Sequence, residues 1–144
     1  MPEPPECLEL PADMEHLPRL LEFLRGHIHD GRFDEATAGK LELAAEEMLM
    51  NVVSYAYPGS SGMVSLIAGE NDGGAFFIEI GDHGVPFDPL AAPKADTTAS
   101  IEDRAIGGLG IHFMRKVVDD VRYRRENGRN ILTLIMRARK GDRP

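Results

Sequence analysis

The amphipathic stretch from Leu41 to Tyr57 constrains the fold more than any other part of the chain. Glu47 and Asn51 are four residues apart in it, so in a helix they share one face, beside the apolar arc. A carboxylate one turn from an amide at the edge of a core could hold a proton acceptor and a hydrated cation side by side. The alternative is that Glu47 is solvated and Asn51 caps a neighbouring element. The apolar residues recur with helical spacing, at Leu41, Ala45, Met48, Leu49, Val52 and Ala56.

The length, net charge and cysteine content of the chain limit the class of protein. A chain of 144 residues is long enough for one domain with a real core. Its formal charge of -8 argues against nonspecific binding to nucleic acid or to an anionic membrane, although backbone amides could still bind a phosphate. No apolar run approaches the ~20 residues that cross a bilayer. The acidic, proline-rich start is unlike a signal peptide, and a single cysteine, Cys7, fits a reducing cytoplasm.

The remaining periodicity predicts helices packed on one face of a sheet. Asp13 and Asp34 are expected to cap the first two helices, and the Asn71–Gly74 stretch is a hairpin signal. The whole chain is then one α+β domain, a two-layer sandwich whose mixed sheet is mostly antiparallel. The expected order is a strand at 7–10, helices at 14–29 and 35–57, strands at 63–68 and 75–80, a helix at 111–118, and strands at 121–123 and 130–137.

Three segments lack such periodicity. Residues 1–5 are expected to be a flexible leader, and residues 139–144 a loose basic tail. Residues 89–106 are small and polar, and a stretch of this length inside a compact domain is typical of a lid or a mobile loop.

Two further clusters contain residues that could bind a ligand. Asp82 leaves a strand into a turn at Gly84, where a carboxylate could accept a hydrogen bond from an exocyclic amine or simply cap the turn. Gly108 and Gly110 precede a helix, where free amides could approach a phosphate, or the glycines could form a hinge. No Gly-Lys-Ser/Thr follows, so this is not a Walker motif.

Taken together, the clusters resemble the three boxes of the GHKL ATP-binding superfamily, which has the Bergerat fold. The resemblance covers nearly the whole chain. The local phrases at 45–51, 82–89 and 107–111 are most similar to those of the bacterial anti-sigma factor serine/threonine kinases. The boxes occur in the family's order, as Glu47-x-x-x-Asn51, Asp82-x-Gly84-x-Pro86 and Gly108-x-Gly110.

This resemblance implies a role for each residue. Glu47 would be the catalytic base that takes a proton from the attacking hydroxyl, and Asn51 would ligate a Mg²⁺ that bridges the ATP phosphates. Asp82 would read the adenine amino group above a turn that Gly84 permits. Residues 89–106 would be the ATP lid. The remaining nucleotide-binding positions implied are Pro86, Gly108, Leu109, Gly110 and Thr133, with Thr133 supporting Asp82 in the adenine site.

The resemblance implies an ATP-dependent serine/threonine protein kinase that acts as an anti-sigma-type regulator. Its substrate would be a STAS-type anti-sigma factor antagonist, and its other partner a sigma factor or another regulated protein, with ATP state biasing the choice. It would bind neither nucleic acid nor membrane directly, and the family also suggests a homodimer.

Three alternatives stay open: a non-catalytic ATP-binding partner-switching module, a detached histidine-kinase catalytic domain, and a small-molecule ATPase. Retention of Glu47 favours the kinase, because binding alone needs no base. Two departures from the family pattern leave the rate of transfer open. Tyr55 replaces a frequent histidine, and Ile106 stands before the second glycine box, where active kinases often carry a basic residue.

Overall fold

The computed structural model describes residues 4–91 and 108–137. Within these ranges three α-helices pack on one five-stranded sheet, which confirms the α+β architecture expected from the sequence. No helix in the described part of the chain is long and apolar enough to span a membrane. The strands are β1 (Glu6–Pro11), β2 (Met63–Glu70), β3 (Phe76–Asp82), β4 (Asp120–Glu126) and β5 (Arg129–Met136), and the helices are α1 (Leu17–Ile28), α2 (Glu35–Tyr55) and α3 (Gly108–Val117).

The sheet has the strand order β1-β2-β3-β5-β4, and every pairing among these strands is antiparallel. The central strand β3 therefore lies between β2 and β5. Its last residue, Asp82, is opposite Val64 on β2 and Asn130 on β5. This register brings the end of β3 and the beginning of β5 to the same edge of the sheet.

Two hairpin turns set the register of β2 with β3 and of β4 with β5. The Asn71 side chain accepts hydrogen bonds from the backbone N–H groups of Gly73, at 2.9 Å, and Ala75, at 3.0 Å. In the second turn, Asn127 and Gly128 have φ values of 52° and 76°, a left-handed conformation that asparagine and glycine tolerate. Both turns are predictable from their residues, because asparagine and glycine adopt the backbone conformations of these turns without strain.

The helix starts agree only in part with the sequence pattern. Asp34 caps α2 as expected, since its side chain accepts a hydrogen bond from Thr37 N–H at 2.7 Å. Asp13 accepts the His16 N–H at 2.9 Å, but this closes a turn, and α1 begins only at Leu17. Pro18 near the helix start fixes the backbone there and lacks an N–H, a position that a first turn tolerates.

The core lies between the helices and one face of the sheet. Side chains alternate along the strands, and residues of opposite parity, such as Ile67, Phe77 and Ile135, are half-buried and lie outside this core. The core residues of β2 and β3 are Val64, Leu66, Ala68, Phe76, Ile78 and Ile80, each at most 2% exposed. The helices contribute Leu20, Leu24, Leu41, Leu49 and Met114, which are equally enclosed.

Parts of three expected segments fall outside the described residues. These are residues 1–3 of the leader, residues 92–106 of the lid, and the whole tail. At the start of the expected lid, Pro89–Ala91 form a short 3₁₀ helix, in which Asp88 accepts the Leu90 N–H at 2.8 Å.

Candidate functional site

A cleft opens between the C-terminal half of α2 and the edge where β3 ends and β5 begins. It encloses about 730 Å³ of space, part of which is open to solvent. Apolar side chains form most of its walls, so a flat, largely apolar ring would fit. Its polar contributions come from Asn51, Asp82 and Asn130, with the tyrosines Tyr55 and Tyr123.

Asp82 is the buried acid of the cleft, with 5% of its surface exposed. Its Oδ1 accepts two hydrogen bonds, from Gly84 N–H at 2.8 Å and from the Asn130 amide at 2.9 Å. Its Oδ2 accepts none from the residues that the structure describes. Because Asp82 lines the cleft, this second oxygen is the acceptor available to a ligand.

Gly84 is required by a close approach of two backbones. A side chain at this position would overlap the carbonyl group of Ala56, just beyond the end of α2. The next residue, Val85, donates its N–H to the same carbonyl oxygen at 2.9 Å. The missing side chain therefore lets the loop after β3 dock on the end of α2, and this closes the back of the cleft.

Tyr57 joins the end of α2 to the loop after β3, a role that no sequence pattern indicated. Its hydroxyl group donates to the Met63 carbonyl at 2.6 Å and accepts the His83 N–H at 2.8 Å. Burial raises the pKa of the Tyr57 phenol. One hydroxyl thus joins the segment after α2, the start of β2 and the residue that follows Asp82.

The structure does not bring Thr133 to the cleft, which corrects its expected position beside Asp82. Thr133 is opposite Glu79 on β3 and Arg122 on β4, on the sheet face that points away from α2. Side chains alternate along a strand, so a residue three places from the one opposite Asp82 must face the other way. The residue that meets Asp82 is Asn130, which the sequence interpretation did not assign to the site.

Asn51 projects from α2 into the cleft with an unsatisfied amide. Its Nδ2 is buried and has no hydrogen-bond partner among the described residues. A buried polar group without a partner costs about 1–3 kcal/mol, so natural structures rarely keep one without a reason. The Asn51 amide is therefore positioned for a partner that the described residues do not supply.

Glu47 lies one turn earlier on α2, outside the cleft lining but beside the first turn of α3. A side chain at Gly110 would overlap the Glu47 Oε1, so the carboxylate lies directly over that glycine. The structure thus gathers Glu47 and Asn51 along one flank of α2, as their spacing predicts. Glu47 meets the N-terminal turn of α3, where backbone amides favour anions, and Asn51 meets the cleft.

Two arginines near the site are engaged by backbone carbonyls. Arg115 of α3 donates to the Leu90 carbonyl at 3.2 Å, and Arg125 of β4 donates to the Gly84 carbonyl at 2.8 Å. Arg115 therefore ties α3 to the 3₁₀ helix at the start of the expected lid. Arg125 holds the loop that carries Gly84 against the sheet.

The donor set suits magnesium held mainly by a bound phosphate. Over residues 4–91 and 108–137, no group of three or more His, Cys, Asp or Glu side chains could hold a metal ion. Mg²⁺ commonly uses one or two protein oxygens together with phosphates and waters. Asn51 lines the cleft and can offer its side-chain oxygen as such a ligand. Its buried Nδ2, which has no partner among the described residues, is a donor and would suit a phosphate oxygen rather than the metal.

Two known proteins are similar to this chain. A serine/threonine-protein kinase of Bordetella bronchiseptica, BtrW, is 34% identical over 95 residues, which are 65% of this chain and 66% of that protein. The crystal structure of the RsbU and RsbW domains of a Mycobacterium tuberculosis protein matches 94% of this chain with a TM-score of 0.63 at 19% identity. The chain spans just under two thirds of the first relative and 33% of the second.

The family itself is shown by its sequence profile. The profile of the histidine kinase-like ATPase domain matches residues 10–136, which is most of the chain. This match confirms the resemblance to the GHKL superfamily, and the two relatives agree with it. The chain belongs to the histidine kinase-like ATPase domain family.

Proposed function

We propose that this protein is an ATP-dependent serine/threonine protein kinase that acts as an anti-sigma-type regulator. One observation carries the proposal. Asn51 and Asp82 line the same cleft, and Glu47, one turn before Asn51, lies at the N-terminal turn of α3. A site for the adenine ring, a site for the phosphates and a proton acceptor therefore follow one another alongside α2.

The adenine would occupy the apolar cleft. The Asp82 carboxylate has one oxygen without a described protein donor, and the adenine amino group would donate to it. Pro86 and Phe87 line the same cleft and would enclose the ring. A guanine ring would present a carbonyl oxygen to this acceptor instead, which is unfavourable.

The triphosphate would extend toward α3. The backbone amides at Gly108, Leu109 and Gly110 form its first turn, and unpaired amides at a helix start favour phosphate. Asn51 would hold a Mg²⁺ through its side-chain oxygen, and the bound ion would neutralise charge on the phosphates. This arrangement leaves Glu47 beside the γ-phosphate end.

Glu47 would serve as the general base. As the hydroxyl oxygen of a substrate serine bonds to the γ-phosphorus, its proton passes to the Glu47 carboxylate, and ADP leaves with the electron pair of the broken P–O bond. Phosphoryl transfer depends mainly on position and on charge neutralisation, so this small set of groups suffices. The substrate serine would belong to a STAS-type antagonist, and a sigma factor or another regulated protein would be the second partner.

A non-catalytic ATP-binding partner-switching module is the second candidate. The observation in its favour is that Arg115, a basic residue of the helix that would hold phosphate, donates to the Leu90 carbonyl. Within the described residues, charge neutralisation at the phosphates would then fall to backbone amides and Mg²⁺.

The test is direct. The protein is incubated with Mg²⁺, γ-labelled ATP and the STAS proteins encoded nearby, and labelled phosphoserine is scored, while ATP affinity is measured by calorimetry. Phosphoserine on a STAS protein supports the kinase. ATP binding without transfer to any STAS protein supports the switching module, and absence of ATP binding contradicts both.

A further inference from the structure

Asn130 uses both ends of its amide inside the protein. Its Nδ2 donates to Asp82 Oδ1 at 2.9 Å and to the Val85 carbonyl at 2.8 Å. Its Oδ1 accepts the Tyr123 hydroxyl at 2.7 Å and the Phe87 N–H at 3.3 Å. The residue is 7% exposed. Because donors surround the oxygen and acceptors surround the nitrogen, the orientation of this amide is determined.

The orientation of Asp82 follows from that of Asn130. One carboxylate oxygen is held by two donors, the Asn130 amide and the Gly84 N–H. Rotating the carboxylate would break both bonds inside a buried site, at the cost of unsatisfied polar groups. The other oxygen is therefore kept in one direction, as an acceptor for whatever fills the cleft.

Tyr123 holds the far side of the Asn130 amide. Its hydroxyl group is a donor to Asn130, and burial raises the pKa of this phenol, so it keeps its proton at neutral pH. Its side chain also lines the cleft. The chain of contacts thus runs from β4 through β5 to the end of β3.

We propose that Asn130, held by Tyr123, is a positioning residue that sets the base selectivity of the cleft through Asp82. The proposal rests on the proposed nucleotide site. With the carboxylate fixed, the cleft accepts a purine that presents an amino group to Asp82 and rejects one that presents a carbonyl oxygen. Adenine and hypoxanthine differ at this edge, so ATP and ITP are the sharpest pair of probes.

Two variants of graded severity test this role. Asn130→Asp keeps the size of the side chain but replaces the amide donor that faces Asp82 by a second carboxyl group, which repels the Asp82 carboxylate or shares a proton with it. Tyr123→Phe removes a single hydroxyl and leaves the Phe87 N–H as a donor to Asn130. Asn71→Ala is the matched control, because this asparagine also organises a loop through its side chain, but in the β2–β3 turn.

The measurement is the ratio of the ITP and ATP dissociation constants, obtained by calorimetry with Mg²⁺ on the full chain. A partly unfolded sample changes both constants equally, so the ratio reports the site alone. We expect Asn130→Asp to lower the preference for ATP by about tenfold and Tyr123→Phe by about threefold, sizes typical of a lost hydrogen bond in a buried network. Asn71→Ala should leave the ratio unchanged.

A double variant shows whether Asn130 acts through Asp82. In an Asp82→Ala background, Asn130→Asp should cause no further loss of preference, because the group that it orients is absent.

The outcomes distinguish failure of the proposed function from failure of this inference. If the wild-type protein binds neither nucleotide, the proposed function fails and this inference falls with it. If the wild type prefers ATP and both single variants keep that preference, only the role of Asn130 is overturned. If Asn130→Asp does not fold, Tyr123→Phe decides the role of Asn130. An unchanged ratio of the ITP and ATP dissociation constants overturns that role, and a lowered ratio supports it.

Discussion

The carboxylate of Glu47 lies directly over Gly110, so closely that a methyl group at position 110 would overlap its Oε1. The two residues belong to α2 and α3, which pack side by side. The position of the proposed base is thus set by a residue whose side chain is absent. A glycine implied by the family resemblance to bind phosphate also leaves space for the proposed base.

Gly110→Ala tests this contact. The overlapping atom is the end of a flexible side chain, so we expect the carboxylate to shift while the fold remains intact. Transfer to the substrate should fall by about tenfold or more, because a displaced base loses its alignment. ATP affinity should stay within about threefold, because the backbone amide remains. Single-turnover kinetics and calorimetry measure the two quantities.

Gly39→Ala is the control for Gly110→Ala. A side chain at Gly39 on α2 meets open space, so this change should raise stability by up to about 1 kcal/mol through helix propensity and leave transfer unchanged. Equal transfer rates in wild type and Gly110→Ala would remove the steric role of Gly110.

Glu47→Gln tests the base itself. Glutamine keeps the shape but cannot take the proton, so transfer should drop by about 10²-fold or more while ATP affinity stays within about threefold. Glu46→Gln is the matched control, because Glu46 lies on the other flank of α2, where it interacts with Arg25 of α1. Undiminished transfer by Glu47→Gln would rule out Glu47 as the base.

Asn51→Leu separates ligand binding from folding. The Asn51 amide has a buried, unpaired nitrogen, so an apolar side chain of similar size should raise the melting temperature of the nucleotide-free protein. Mg·ATP affinity should fall at least about tenfold, because the metal ligand is gone. Calorimetry with and without Mg²⁺ and thermal melts test this, and undiminished Mg·ATP affinity would count against the metal role.

Gly84→Ala should damage the fold and the cleft together. The new methyl group would meet the backbone carbonyl of Ala56, which cannot move away as a side-chain end can. We expect a loss of about 1–3 kcal/mol in the free energy of unfolding, together with weaker ATP binding. Gly26→Ala, whose side chain would meet open space on α1, should not destabilise. Urea denaturation gives both values, and equal stability of Gly84→Ala and wild type would contradict the tight contact.

A contact between α1 and α2, away from the cleft, depends on pH. Glu42 on α2 accepts from Arg25 at 2.6 Å and contacts His29 at 2.7 Å, and the Arg25 guanidinium lowers the pKa of Glu42. A carboxyl group whose pKa is lower in the folded state stabilises the fold at pH values above its unfolded-state pKa. This stabilisation is lost as the pH falls through its folded-state pKa.

Glu42→Gln should therefore destabilise the protein at pH 7, modestly because solvent screens these partly exposed groups. The effect should be smaller near pH 3, because protonation of the Glu42 carboxylate removes the ionic contact in the unsubstituted protein. Urea denaturation at both pH values measures this. Glu22→Gln is the control, because Glu22 makes a 3.6 Å contact with Arg19 at 77% exposure. An effect of Glu42→Gln that is independent of pH would contradict the ionic origin.

The sequence by itself determined the elements and their order. Helical spacing predicted α1, α2 and α3, and the Asn71–Gly74 stretch predicted the β2–β3 hairpin, because local preferences decide such features before any distant contact forms. It also fixed that Glu47 and Asn51 share a flank of α2, since a helix places residues four apart on one face. The three spaced boxes predicted the family.

Only the tertiary structure decided which strand residue meets Asp82. Thr133 and Asn130 are on the same strand, but their parity is opposite, and the pairing of β5 with β3 puts Asn130 in the cleft. One step of register moves every side chain to the other face, and local sequence does not encode the partner strand. The contact of Glu47 with Gly110 and the unpaired amide of Asn51 likewise arise from packing between distant segments.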